Sequence, residues 1–259
     1  MIRRRRVGAW KRVLARGVRE VGELLLPGRC LGCASWIPLD SPDRLVCAGC
    51  RGRLVDPPWP RCPRCHMPRG TGREGEPDCL ACRGWPTVLR GARWAVALGA
   101  PADALVHGLK YEGWRDLAPF MAERMARLDP GLSGPGPAPV VVPVPTTPRR
   151  ERSRGYNQAR LLARGVARIR GLKLVDALAR REGRGTQVSL HPDERRLNVE
   201  GAFRLATDAP LSGLRVLLID DVLTTGATAS AAAAALERGG VSGVVVLTFA
   251  RSVPGRSAA

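Results

Sequence analysis

Residues 216–228 read V-L-L-I-D-D-V-L-T-T-G-A-T. A continuous aliphatic run predicts a strand buried on both faces, as in a parallel sheet covered by helices. Asp220 and Asp221 stand at its C-terminal end, Thr224–Gly226 form a loop of small residues, and the Ala-rich run Ala227–Glu237 predicts a helix. Open α/β sheets bind ligands at that strand edge. The backbone N–H groups of Thr225, Gly226 and Ala227 would face out of the helix N-terminus toward a phosphate. Thr224, Thr225 and Thr228 add hydroxyl donors, and Gly226 permits close backbone approach. The two carboxylates can accept charge-assisted hydrogen bonds from vicinal hydroxyls of a ribose. Because side chains alternate along a strand, both can face the sugar only if the strand ends at them. A capped helix after a strand explains each feature singly. The whole string argues for a sugar-phosphate site.

The alternation of strand and helix extends over most of the chain. Trp94–Leu98, Val140–Val144 and Val244–Phe249 read as further strands, and Ala102–Tyr111, Arg115–Leu128 and Asn157–Arg170 as helices. Residues 129–138, rich in Gly and Pro, read as a loop. From about residue 91 onward the fold class is therefore α/β with a parallel sheet.

All eight cysteines lie upstream of that region, in four C-x-x-C pairs: Cys30/Cys33, Cys47/Cys50, Cys62/Cys65 and Cys79/Cys82. Thirteen residues separate the first pair from the second and the third from the fourth, which reads as a tandem repeat. Two C-x-x-C turns supply the four thiolates of a tetrahedral zinc site. The equal spacers favour sequential pairing over an interleaved cross-brace. Disulfides are the competing reading, but neighbouring pairs of this kind in a reducing compartment favour metal. The segment is rich in proline and poor in aliphatics, so two structural Zn²⁺ ions would supply its folding energy, on the order of 10 kcal/mol or more each. Four sulfurs close each site, so zinc catalysis is not expected. His66, directly after Cys65, reads as a surface residue or one supporting the ligands. The expected organisation is an arm over residues 1–28, a double zinc ribbon over 29–90 and an α/β domain over 91–259.

The formal net charge of +19 first suggests nucleic acid. Its distribution narrows that suggestion. Residues 1–29 carry nine basic and two acidic side chains, a net +7, and residues 149–204 carry 15 and six, a net +9. In the arm, Trp10, Leu14, Val18, Val21 and Leu25 recur at helical spacing and predict an amphipathic helix ending at Pro27–Gly28. That helix would dock on a neighbouring domain, or lie on an anionic membrane or nucleic acid. Basic residues interrupt every apolar stretch near the start, so no secretory signal is read, and a cytoplasmic location is expected.

The string at 216–228 resembles the phosphoribosyl-pyrophosphate (PRPP) motif of type I phosphoribosyltransferases. Further matches point to the ComF family of double-zinc-ribbon, phosphoribosyltransferase-like proteins. They are H-G-L-K-Y-E-G at 107–113, P-V-P at Pro143–Pro145, R-G-Y-N-Q at Arg154–Gln158, and the run Gln187, Leu190, Glu194, Arg195, Asn198 and Phe203. The resemblance covers roughly residues 20–250 and implies a Rossmann-like sheet. It implies Asp220 and Asp221 as the catalytic pair on the ribose hydroxyls, and Thr224, Thr225, Gly226, Ala227 and Thr228 around the 5′-phosphate. Thr146, Thr147, Arg149 and Arg150 match the pyrophosphate loop in position. Residues 183–200 match a closing hood, with Arg184, Arg195 and Arg196 as candidate anion contacts. Mg²⁺ would arrive with PRPP.

Two classes of function follow. One is an enzyme transferring phosphoribose from PRPP to an acceptor. The other is a non-catalytic PRPP- or nucleotide-sensing or DNA-binding accessory protein of competence-type DNA uptake, holding single-stranded DNA or a competence helicase. Trp36, Trp59 and Trp85 are candidate stacking residues or ribbon core. His107 and Lys110, one turn apart, could reach the site or simply pack. No segment reads as a nucleobase pocket.

Overall fold

The computed structural model describes residues 28–38, 40–69, 79–132, 136–181, 201–206 and 211–254. The predicted arm helix and the hood residues Arg184, Arg195 and Arg196 lie outside the described residues. The chain forms two compact units, residues 1–53 and 54–259.

Among the described residues, the first unit holds the first four-cysteine set and one short helix, α1 (Ala48–Arg53). The second set, offset by 32 residues in sequence, repeats its turn and belongs to the second unit. Arg29 bridges Trp36 as Arg61 bridges Pro68. Ala34 and His66, each directly after a second cysteine, share a left-handed backbone at φ 59° and 57°. The tandem repeat read from the spacers is thus also a repeat of backbone conformation.

In the second unit, strand β1 (Leu89–Ala97) leads into helices α2 (Ala102–Tyr111) and α3 (Leu117–Ala126). Strand β2 (Val140–Pro143) is followed by α4 (Pro148–Arg154) and α5 (Gln158–Arg170). Two three-residue strands, β3 (Leu178–Arg180) and β4 (Phe203–Leu205), pair antiparallel. Then come β5 (Arg215–Leu223), α6 (Ala227–Glu237) and β6 (Gly243–Arg251). The main sheet has the order β1-β6-β5-β2, with every pairing parallel. This is the α/β class expected from the buried aliphatic strands.

Both faces of the sheet are covered, as such strands require. Val140, Val142, Val216, Leu218, Val244 and Val246 join one cluster with Ala232, Ala233 and Leu236 of α6, and with Cys62, Cys65, Cys82 and Trp85 of the second cysteine-rich segment. The alternating residues Val141, Leu217, Ile219, Val245 and Leu247 are equally buried on the other side. There α3 and α5 pack on each other and on the sheet. At Gly165, α5 approaches α3 closely: a Cβ added there would lie 2.5 Å from that of Ala122.

One feature of the sheet positions the site. Beside β5, strand β2 stops at Pro143, and the last rung is Val144 N–H to Ile219 O at 2.9 Å. Strand β5 runs on through Asp220 to Leu223, paired with β6. Its β2-side edge is therefore open from Asp220 onward.

Candidate functional site

That open edge forms the wall of a cleft of about 790 Å³. Asp220, Asp221, Thr224, Thr228, Thr146 and Arg150, all read from sequence, line it. So do Lys110, which the sequence offered as able to reach the site, and Arg154 and Arg180. The strand does not end at the acid pair, contrary to the condition set by alternation. Both carboxylates reach the cleft because the neighbouring strand has ended.

Asp221 is 3% exposed, and its Oδ2 lies 2.9 Å from Lys110 Nζ at the end of α2. Its Oδ1 accepts from Val222 N–H, and Asp220 Oδ1 accepts from Asp221 N–H, each at 2.9 Å. Burial, then the Asp221 charge, pushes the Asp220 carboxyl well above the ordinary carboxylate range, while Lys110 pulls it back. Burial also acts against the Arg180 cation, as does the charge of Arg150, and Asp220 favours it. Two guanidiniums converging in a cleft are a costly arrangement that an anion between them would relieve.

Other expected residues shape the walls without lining them. Thr147 caps α4 through Oγ1, which accepts from Arg150 N–H at 3.3 Å. Arg149 sits beside the lining residue Arg150 in the first turn of that helix rather than in a loop. Thr225 Oγ1 accepts from Ala227 N–H at 3.3 Å, and Gly226, at φ 86°, caps α6. His107 does not line the cleft but pairs at 3.1 Å with Glu112, which does.

The R-G-Y-N-Q signature acts as a brace. Gly155 ends α4 at φ 80°, and the Tyr156 hydroxyl donates to Leu109 O beside Lys110. Asn157 caps α5 through Oδ1 and donates to Val144 O at 3.1 Å, fixing the chain where β2 stops. Arg154 donates to Gln158 and stacks 5.2 Å above the exposed Tyr111 ring. Sequence reading singled out this motif but not Arg154 as a cleft cation. Arg180 was not read at all, since it lies on a three-residue strand with no periodicity to mark it.

Among curated proteins, the chain is 31% identical over 237 residues to the DNA utilization protein YhgH of Salmonella typhi, covering 89% of this chain and 100% of that one. Competence protein F of Haemophilus influenzae is 35% identical over 105 residues, 40% of this chain and 46% of that protein. Competence protein ComFC of Bacillus subtilis is 28% identical over 217 residues, 82% of this chain and 86% of that one. The chain belongs to the ComF-like family. No family model matches it.

In this ComF-like chain the eight thiols gather as Cys30, Cys33, Cys47, Cys50 and as Cys62, Cys65, Cys79, Cys82, each set with its sulfurs within 4.8 Å of one another. The pairing is sequential. Sulfur separations of 3.8 Å (Cys33–Cys47, Cys62–Cys82) and 3.7 Å (Cys65–Cys79) match the ~3.8 Å edge of a tetrahedron with Zn–S bonds of about 2.3 Å. In the first set, hydrogen bonds with Ser35 lower Cys33 to about 6, while burial raises Cys50 to about 12. In the second, burial raises Cys65 to about 11. Burial also pushes Cys62 up, but hydrogen bonds with the Cys65 and Arg64 backbone outweigh it and bring that thiol to about 7. Four crowded thiols cannot all ionise together without a cation.

Arg251 supplies independent evidence. Its guanidinium is fully buried, Nη1 donates to Cys65 O at 2.9 Å, and Nε and Nη2 have no hydrogen-bond partner among the described residues. Burial opposes its charge, and the cysteines of the second set favour it. A zinc ion held by four thiolates carries a formal charge of −2, which fits a buried cation beside it. Both sets could therefore hold structural zinc. Trp36 and Trp59 are 57% and 74% exposed, beneath Arg29 and Arg61, whereas Trp85 is buried.

Proposed function

We propose that the cleft binds PRPP and transfers its phosphoribosyl group to an acceptor, within a competence-type role in DNA utilization. The observation that carries this reading is the pairing of an acid dyad with a basic wall across one cleft. Asp220 and Asp221 sit on the open edge of β5, and Arg150, Arg154, Arg180 and Lys110 line the same space.

The acids would accept hydrogen bonds from the two ribose hydroxyls. The loop Thr224–Thr228 would take the 5′-phosphate, with hydroxyls from Thr224 and Thr228, both in the cleft. Arg150 and Arg180 would take the pyrophosphate, which relieves their mutual repulsion. As the C1′–O bond to pyrophosphate breaks, the electron pair leaves with that oxygen. A nucleophilic atom of the acceptor then bonds to C1′ and loses its proton to solvent. The arginines stabilise the growing leaving-group charge. Mg²⁺ bound mainly by substrate oxygens would add charge neutralisation at the same oxygens. Lys110 must give up Asp221 to the sugar, or else share it, and so can exchange one anion for another as substrate enters.

The names of the relatives favour a second reading, in which the same site senses PRPP or a nucleotide for a protein that handles DNA, without turnover. Calorimetric titration of PRPP with Mg²⁺, together with a pyrophosphate-release assay, separates the readings. Binding and release that are both lost in an Asp220→Asn, Asp221→Asn variant support transfer. Binding without release supports sensing. No binding by the wild-type chain, or release that persists in the double variant, overturns the assignment of the site.

A further inference from the structure

The second four-cysteine set and the Thr224–Thr228 loop lie far apart in sequence, yet Trp85 joins them. Trp85 N–H donates to Cys82 O at 3.1 Å, so the residue is seated on the last knuckle of the metal site. Its indole Nε1 donates to Thr225 O at 3.4 Å. The ring also lies flush against Gly226, where an added Cβ would stand 2.5 Å from Nε1 and 2.8 Å from Cε2 and Cζ2. Gly226 is therefore required twice, for φ 86° and for the space the indole takes.

The indole is held firmly from behind. Arg64, between Cys62 and Cys65, donates to Cys82 O at 3.1 Å, Trp85 O at 3.4 Å, Pro86 O at 3.0 Å and Leu89 O at 2.8 Å. The Arg64 and Arg251 guanidiniums each lie 5.8 Å from the Trp85 ring. Arg251 Nη1 and Trp94 Nε1 both donate to Cys65 O, at 2.9 and 3.2 Å. Loss of the metal would free the knuckles that carry Arg64, Cys65 and Cys82, and with them the seat of the indole.

We propose that Trp85 is a positioning residue that couples the second four-cysteine site to the phosphate loop, so that metal there and a sugar phosphate on the loop bind cooperatively. The coupling rests on the PRPP reading of the loop, but the contact through Trp85 does not. Coupling between two ligands is reciprocal. PRPP should therefore hold zinc in this site, just as zinc helps hold PRPP.

The test uses the full-length, zinc-loaded chain and Trp85→Phe, which keeps an aromatic ring but loses the donor. Both are measured for zinc content, PRPP affinity with Mg²⁺, zinc loss to a chelator, and hydrogen exchange in a peptide spanning 223–229. The variant is expected to keep two zinc ions and to bind PRPP about fivefold more weakly, the worth of one neutral hydrogen bond. Its loop peptide should exchange faster than the wild-type one. In the wild type, PRPP should raise about fivefold the chelator concentration that removes one zinc ion at equilibrium, and in Trp85→Phe it should not. If Trp85→Phe fails to retain both ions, Gly226→Ala replaces it. That substitution leaves both four-cysteine sets and the Trp85 side chain intact but forces ring and loop apart. Because it also strains the loop at φ 86°, its zinc retention is read at saturating PRPP, and the same loss of coupling is expected. Loop exchange and zinc loss unchanged from wild type in a zinc-loaded variant overturn the proposal. A wild-type chain that ignores PRPP overturns the site assignment instead, and the exchange arm alone then decides the role of Trp85.

Discussion

Asp220 shows what a binding site costs its fold. Burial and the neighbouring Asp221 charge raise its carboxyl above the ordinary 3.8, with Lys110 opposing the rise. A carboxyl raised in the folded state contributes stability while it is protonated, below its unfolded value, and loses it as pH rises through the folded value. At neutral pH, above its ordinary value, the residue therefore weighs against folding. Asp220→Asn keeps the shape and removes that burden. Its melting temperature is expected to exceed that of the wild type at pH 7.5, by about 2–4 °C for each ~1 kcal/mol relieved. The gap should close as pH falls below about 4. Differential scanning calorimetry over a pH series checks this, and a variant that melts no higher at pH 7.5 would show that the charge is not strained. The same variant should lose sugar-phosphate binding, the usual exchange of stability for function.

Elements were legible in sequence wherever one physical signal dominated. The predicted helix Ala102–Tyr111 matches α2, and Asn157–Arg170 differs from α5 only because Asn157 is the cap. Strand ends were misjudged where charge interrupts burial. Strand β1 begins at Leu89 rather than Trp94: Arg90 is exposed and Arg93 is half-buried, donating to Arg64 O and Asp129 O, while Leu89 and Ala92 are buried. Strand β5 passes through two aspartates that look like a terminus. The acid pair and its loop could be read because they are contiguous. Lys110 was legible only as one of two helix residues that could reach the site, and Arg180 and the loop contact of Trp85 could not be placed, because each reaches the site from a separate element through tertiary packing. Gly165 is a further case, reading as a weak helix residue although its missing side chain lets α3 and α5 meet. Gly165→Ala should raise helix propensity by about 1 kcal/mol, yet the 2.5 Å approach to Ala122 should make it destabilising on balance, by about 1–3 kcal/mol. Urea unfolding of Gly165→Ala, and of the same variant combined with Ala122→Gly, tests this. The second change should restore part of the loss, and an additive further loss would place the strain elsewhere.

At the scale of the whole molecule, charge and metal belong together. Eight thiolates against two divalent ions would take four from the formal +19, leaving +15. Part of the basic surplus at 149–204 faces the cleft through Arg150, Arg154 and Arg180, where a polyphosphate rather than a nucleic acid would answer it. The two four-cysteine sets repeat one turn, but they belong to different units. Cys62, Cys65 and Cys82 are part of the cluster beneath the sheet, so their metal should stabilise the α/β unit itself. Elemental analysis of the wild type is expected to give two zinc ions per chain. Cys30→Ser with Cys33→Ser should remove one and leave the other in place, since the second set is complete within its own unit. Cys62→Ser with Cys65→Ser should also remove one ion, and in addition lower the melting of the α/β unit by about 10 °C or more, because a structural zinc site is worth many times the ~1 kcal/mol that moves a domain of this size 2–4 °C. If the second pair is lost with melting unchanged, the knuckle rests on the sheet without supporting it, and Trp85 then has no metal-dependent seat from which to hold the phosphate loop.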